Sequence, residues 1–474
     1  MDGRISLSPS YLCHYYTSGV KSMDSFSQSS LDQLKGALSL PGPRSQVLWE
    51  QEQALIGPGL QAVVHWAKLA FSKGEGAFLE DVDQNRYIDF MCGSGVNSIG
   101  HNHPLFVAAL AEQLSSLVVS SFTSQARVDM LKTIKQILPP GLERIQLYSS
   151  GAEAVEAALR LVKSYTGKFE FLGFWNAFHG KTLGSFALTD ASRRGLGPAP
   201  SGFHRAPYAY CYRCPLNLKF PTCGFACIEL VREVIRHQAK DTLAGIVVEP
   251  VQGRAGNIVP PPGYMKALQS VAQEFDALLV ADESITGFGR TGTMFASAYD
   301  EVVPDVMIVG KGMGNGFPVT GIISSSTIMA ASPYSDLSAS SSSYGGFPLA
   351  CKAVDTTIQI MLAENLVARA LLQGQEFLQH IQQLASDIAI VGEIRGRGMM
   401  VGIELVESKE SKRPLSGDAM QQLYLALLQA GLLVMVGGNN LRLYPPLSVG
   451  PEVLGQAAIV ISNTLRKQAP MFAV

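Results

Sequence analysis

The residue of this chain best placed for covalent chemistry is Lys311, which follows the apolar run Val306–Val309 and stands between Gly310 and Gly312. A lysine desolvated in such a place has a lowered pKa, and as the free amine it adds to a carbonyl to form a Schiff base. The flanking glycines suggest that it sits in a flexible, enclosed turn. One apolar run earlier, Ala277–Ala281 ends in Asp282-Glu283. An aspartate at a strand end can pair with the protonated nitrogen of a pyridine ring, which makes that ring an electron sink. Any single lysine is more often a solvated loop residue. Here Asp282 and Lys311 fall at successive strand ends, which ordinary loops do not require.

Two further segments fit the same chemistry, although each has a plainer explanation when taken alone. Tyr148-Ser149-Ser150-Gly151-Ala152 follows a strand and opens a helix, so its free N–H groups and the positive end of the dipole form a seat for phosphate. An ordinary capped helix would look the same. In Ala177-Phe178-His179-Gly180, Phe178 offers a ring to stack on a flat heterocycle, or else simply packs into the core.

These residues need a scaffold of strand ends. From Gly76 onward, short apolar runs bounded by Gly and Pro alternate with helical periodicity, the pattern of an α/β fold around a mainly parallel sheet. Strands are expected at Ile145–Tyr148, Phe169–Leu172, Gly245–Glu249, Ala277–Ala281, Val306–Val309 and Gly321–Ser324. Helices are expected at Ala152–Ser164, Ile228–Gln238 and Tyr264–Phe275. A long helix should follow Pro348, with strands at Met400–Glu404 and Leu441–Tyr444 beyond it. The chain of 474 residues exceeds one compact domain. The division expected is a Ser-rich extension over 1–40, a segment 41–95 joining the small domain, a large domain over 96–345 and a C-terminal small domain over 346–474.

Composition narrows the partners. Charged residues are 16% of the chain against about 25% in an average soluble protein, which suits a large apolar subunit interface. The net charge of -2, without blocks of like charge, argues against nucleic acid, so the partner is a small molecule. No segment has the roughly 18 consecutive apolar residues of a membrane helix. The N-terminus does not read as a secretory signal, and seven cysteines suggest reduced thiols in the cytoplasm.

The ordered segments S-G-A-E-A, F-H-G-K-T, V-E-P-V-Q-G, D-E-S-I-T-G-F-G-R-T-G, G-K-G-M-G-N-G-F-P and S-Y-G-G-F-P resemble the class III aminotransferases, the group of the 4-aminobutyrate, acetylornithine and ornithine enzymes. The likeness runs from Gly76 to about residue 465. It implies pyridoxal 5'-phosphate (PLP) as cofactor, fold type I with a smaller α+β domain built from the chain ends, and a homodimer with shared active sites. By that resemblance Ser150, Gly151 and Ala152 hold the phosphate. Phe178 stacks on the ring beside His179 and Ile285, Asp282 pairs with the ring nitrogen, and Lys311 is both anchor and catalytic acid/base. Ser343 stands where the family usually has Thr, reaching the partner's cofactor phosphate. Ser94, Arg254 and Arg442 fall on the substrate side.

Two departures bear on specificity, and a cysteine cluster is distinctive besides. Where the family often ends E-P-V-Q-G with Glu, a gate for the C-terminal arginine, this chain has Arg254, while the arginine itself remains as Arg442. Arg254 either points into the pocket and favours a distal anionic group or swings out to solvent. Ile285 replaces a Gln that binds the cofactor's phenolic oxygen, as in the family's amine and β-alanine transaminases, which favours an ω-amine donor. Cys211, Cys214, Cys223 and Cys227 have a spacing that can hold zinc, but the reading adopted is packed or disulfide-capable thiols with no metal. The expected function is amino transfer between an amine or amino acid and a keto acid or aldehyde. The alternatives are a PLP-dependent racemase or aminomutase on the same scaffold, and a non-catalytic binding protein that kept the fold.

Overall fold

The computed structural model describes residues 38–190 and 196–472. Residues 1–37 of the expected Ser-rich extension lie outside the described residues. A seven-stranded sheet forms the centre, in the order Arg144–Tyr148, Thr320–Ser324, Val306–Val309, Leu278–Asp282, Leu243–Val248, Glu170–Phe174, Phe203–Ala206. Only Thr320–Ser324 runs against its neighbours, pairing antiparallel with both the Arg144–Tyr148 and the Val306–Val309 strands. The other pairings are parallel. Leu243–Val248, Val306–Val309 and Thr320–Ser324 are buried at every position, because helices cover both faces.

The covering helices form where apolar residues recur every three or four positions. Gly151–Thr166 buries Ala154, Val155, Ala158, Leu161 and Val162 against the sheet and stops at Gly167, whose φ of 68° closes the C-cap. Ala226–Gln238 and Tyr264–Glu274 cover the opposite face with Ile228, Val231, Ile235, Leu268 and Val271.

Two smaller sheets come from the chain ends. Phe71–Glu75, Phe78–Asp81 and Arg86–Asp89 form an antiparallel meander whose last strand pairs in parallel with Leu432–Leu433. Val391–Arg397, Met400–Leu405, Asn440–Leu443 and Met435–Gly437 make the third sheet. In it Gly402 lies opposite Arg442 and Glu404 opposite Asn440, so Arg442 and Glu404 share one face. No helix among the described residues is long and apolar enough to cross a membrane.

Candidate active site

The site residues gather at the carboxyl edge of the central sheet, where parallel strands release their chains toward a ligand. The first is the helix N-terminus after Arg144–Tyr148. Ser150 is its N-cap, and Ser150 Oγ accepts from the Glu153 N–H at 3.2 Å. The N–H groups of Gly151 and Ala152 precede the first intrahelical bond, from Ala154 to the Ser150 carbonyl at 3.1 Å, and have no acceptor among the described residues. Ser149 Oγ beside them is buried without a partner. Thr320 Oγ1 donates to the Ser150 carbonyl at 3.0 Å and fixes this turn from the neighbouring strand.

After Glu170–Phe174 the chain presents Phe178, half-buried, and His179, buried. His179 Nδ1 lies 2.7 Å from Asp282 Oδ2, while Asp282 Oδ1 accepts from the Ser284 hydroxyl at 2.5 Å and the Ser284 N–H at 3.1 Å. A carboxylate has about four lone-pair sites. Asp282 therefore keeps an acceptor site for another N–H. Burial alone would raise its pKa, but the His179 hydrogen bond and charge, followed by Ser284, bring it below the usual aspartate value. Burial would likewise depress His179, and Asp282 first, then Glu249, reverse that and raise its pKa. Both shifts favour the charged forms of the pair. Glu283, on the opposite side of the strand, is consumed by Thr286 and by the backbone N–H groups of Ala296 and Ser297, and has a structural task.

Lys311 follows Val306–Val309 and adopts a left-handed φ of 43°, a strained setting for a side chain of this size. The expectation of a flexible turn is corrected here. A Cβ on Gly310 would lie 2.9 Å from Thr320 Cγ2, and one on Gly312 only 2.5 Å from Ser98 Oγ. These glycines permit close packing that holds Lys311 in place. Lys311 Nζ has no hydrogen-bond partner among the described residues. Burial lowers its pKa, Asp282 and Glu249 oppose the shift, and the charges of Arg442 and Arg290 add to it.

The wall opposite is apolar. Ile285 packs with Val251, Met400, Met435 and Tyr444, and Ser94 Oγ lies 3.7 Å from the Met435 sulfur. Arg442 is 8% exposed and reaches the Gly253 and Val436 carbonyls only at 3.4 Å each, with Nε unpartnered. It lines a cleft of about 620 Å³ together with Arg254, Tyr210 and Asn440. Arg254 is exposed along that cleft, its guanidinium 5.3 Å above the Phe178 ring. Of the two orientations expected for it, this one keeps it at the mouth of the site. Ser343 is exposed, in a loop that packs beside the Arg144–Tyr148 strand, where the Ser340 carbonyl accepts from Gln146 Nε2 at 3.1 Å and Tyr148 Oη at 3.3 Å.

Cys211, Cys214, Cys223 and Cys227 are free thiols. Among the described residues no three His, Cys, Asp or Glu side chains converge as metal ligands. Glu249 was not singled out from the sequence, although it stands in the V-E-P-V-Q-G segment. It is 5% exposed, between the Phe178 and Gly253 loops.

This set of groups fits a phosphorylated pyridine aldehyde: free N–H groups at a helix N-terminus, an aromatic face, a charged carboxylate with an acceptor site left and an uncommitted amine. The aminotransferase class III family model matches residues 61–465. The chain is 33% identical to the acetylornithine aminotransferase of Methanothermobacter thermautotrophicus over 84% of this chain and 94% of that one. It is 30% identical to the alanine/serine racemase of Pyrococcus horikoshii, over 90% and 91%. A solved (S)-enantioselective omega-transaminase from Thermomicrobium roseum superposes with a TM-score of 0.84 at 28% identity, covering 89% of this chain and 98% of that one. The chain belongs to the class III aminotransferases. It is a PLP-dependent enzyme of fold type I that moves an amino group from a donor to a keto acid acceptor. The alternative of a non-catalytic binding protein is set aside.

Proposed function

We propose that this aminotransferase acts on ω-amine donors that carry a distal carboxylate, with Arg442 as the seat of that carboxylate. The supporting observation is Arg442 itself, a buried guanidinium with two long backbone contacts and no ion pair among the described residues. A buried cation left in that state gains most from an anionic ligand. Ser94 and Arg254 line the approach, and Arg254, replacing the gate carboxylate, leaves Arg442 open to ligand in every turnover.

In this reading Lys311 Nζ anchors PLP, and Asp282 offers its open acceptor site to the ring nitrogen. Ser150, Gly151 and Ala152 bind the phosphate, and Phe178, His179 and Ile285 enclose the ring. PLP, when bound, supplies the electron sink that lets a proton leave the amine-bearing carbon. Lys311 Nζ, its ammonium form disfavoured by burial, takes that proton and delivers it to the cofactor-side carbon. Ile285 and its apolar neighbours exclude water from the transfer. Ser343 reaches the phosphate of the partner subunit in a homodimer, and free thiols support a cytoplasmic setting. Sedimentation at assay concentrations should find activity only in the dimer, and an active monomer would contradict the shared site.

Substrate pairs of equal length, one with a distal carboxylate and one neutral, test the seat. Arg442→Gln should lower kcat/KM for the charged member by about 10–100-fold, the loss of one charged hydrogen bond, and leave the neutral member nearly unchanged. Arg254→Glu should shift preference in the same direction by giving Arg442 an internal partner. If the ratio is unchanged in Arg254→Glu, residue 254 has no part in specificity.

A further inference from the structure

Glu249 is a buried carboxylate that the reading above leaves without a task. It directly follows the strand Leu243–Val248 and is 5% exposed. Its Oε1 accepts from the Phe178 N–H at 2.9 Å, and its Oε2 from the Gly253 N–H at 3.0 Å. Each oxygen is thus committed to the backbone of a different loop. The Phe178 loop carries the aromatic face and His179. The Gly253 loop carries Arg254, and its Gly253 carbonyl is one of the two contacts that hold the Arg442 guanidinium.

The surroundings keep this carboxylate in place. Tyr208 Oη donates to the Glu249 and Pro250 carbonyls at 3.0 and 3.1 Å, fixing the main chain behind the side chain. No Lys or Arg pairs with Glu249 among the described residues, and its principal tie to a positive group is the field of His179. Burial raises its pKa, with Asp282 adding to the rise, while His179 and the two N–H groups act against it. A buried acid without a basic partner, held by two backbone donors from separate loops, is a poor way to gain stability but an effective way to set the distance between those loops.

We propose that Glu249 is a positioning residue that sets the ring-facing Phe178 and the Gly253–Arg442 carboxylate seat together, so that cofactor binding and carboxylate preference are coupled through one side chain. This rests on the roles given above to Phe178 and Arg442. The chemistry of the variants follows from the donor pattern. Glu249→Gln keeps shape and length but turns one acceptor into an NH2 group facing an N–H, so one loop must release. Glu249→Asp keeps the charge but is one methylene shorter, and it spans to only one of the two donors.

The test uses the full-length protein with amide hydrogen exchange, PLP affinity of the apoprotein, and the kcat/KM ratio for the charged and neutral donor pair. In Glu249→Gln, exchange should accelerate at Phe178 or Gly253 while the sheet amides stay protected. PLP affinity and the charged-to-neutral ratio should both fall, by about tenfold. Glu249→Asp should recover one of these two and not the other. A variant that only yields less folded protein, with exchange at both amides, PLP affinity and ratio as in the parent, overturns the proposal. Arg442→Gln separates this inference from the function it rests on. If that variant leaves the ratio unchanged, the carboxylate seat is wrong, and the exchange and PLP-affinity arms still decide the role of Glu249.

Discussion

Lys311→Ala should yield a folded protein that no longer holds PLP covalently and turns over more slowly by at least about 10²–10⁴-fold, the usual worth of a positioned acid/base. The fold should survive, because the Lys311 side chain makes no hydrogen bond among the described residues and its left-handed φ of 43° is no harder for Ala than for Lys. The packed contacts at Gly310 and Gly312, which hold the turn, are untouched. Since the lost group is an amine of lowered pKa, a small free amine added to the variant should restore part of the proton transfer. Borohydride reduction and peptide mapping of the parent provide the control. A pyridoxyl label on any other lysine would move the anchor elsewhere.

Asp282→Asn keeps the volume of the side chain and removes its charge, and activity should fall by roughly two to four powers of ten. The figure follows from the loss of one preorganised partner for charge in the transition state, worth about 3–4 kcal/mol at about 1.4 kcal/mol per tenfold in rate, with the lost cofactor anchor adding to it. Asp282, through its hydrogen bond and charge, is the main source of the upward shift at His179, opposing a burial effect of the other sign. In the variant, burial should prevail and the His179 pKa should drop below its ordinary value. The sign of the pH effect follows. In the parent, the stability from a charged His179 is fully present below its unfolded pKa and is lost as pH rises through the raised folded value. The variant should lack that contribution, so the parent's stability advantage should shrink as pH rises through that window. Asp282→Asn with near-parental single-turnover rates would mean that Asp282 does not face the ring.

The parts of the fold legible in the sequence were those where one physical signal dominates. Buried strands such as Val306–Val309 and Leu278–Asp282, the latter buried except at Leu278, are apolar runs closed by Gly, Pro or an acid, and they appear within a residue or two of their expected limits. The edge strand Phe203–Ala206 reads Phe-His-Arg-Ala, and the exposed hairpin strand Phe71–Glu75 is largely polar, so neither carried that signal. The reversed direction of Thr320–Ser324 was hidden for a different reason: a fully buried strand looks the same running either way.

The site divides in a similar way. Asp282 and Lys311 were visible because their chemistry depends on being at strand ends. The hydrogen bond from His179 to Asp282 joins residues 103 apart in the chain, and no local pattern announces it. Glu249 escaped notice because its work is done through two backbone N–H groups, which leave no mark on residue type. The glycines beside Lys311 were read as a source of freedom when they are instead points of close approach. Arg254 was recognised as a departure, but its position over the Phe178 ring depends on packing between loops.

The central claim, that this chain transfers an amino group and does not merely move a proton, is tested most directly by a single half-reaction. The PLP-loaded protein is mixed with an ω-amine donor carrying a distal carboxylate, without any acceptor, and the carbonyl product is quantified. A transaminase must release one equivalent of carbonyl product per Lys311 and then stop until a keto acid is added. Such a burst, absent in Lys311→Ala, is the predicted result. Exchange of the donor's amine-bearing C–H with deuterated solvent, with no carbonyl product, would contradict it and would assign the same site to proton transfer alone, the chemistry of a racemase.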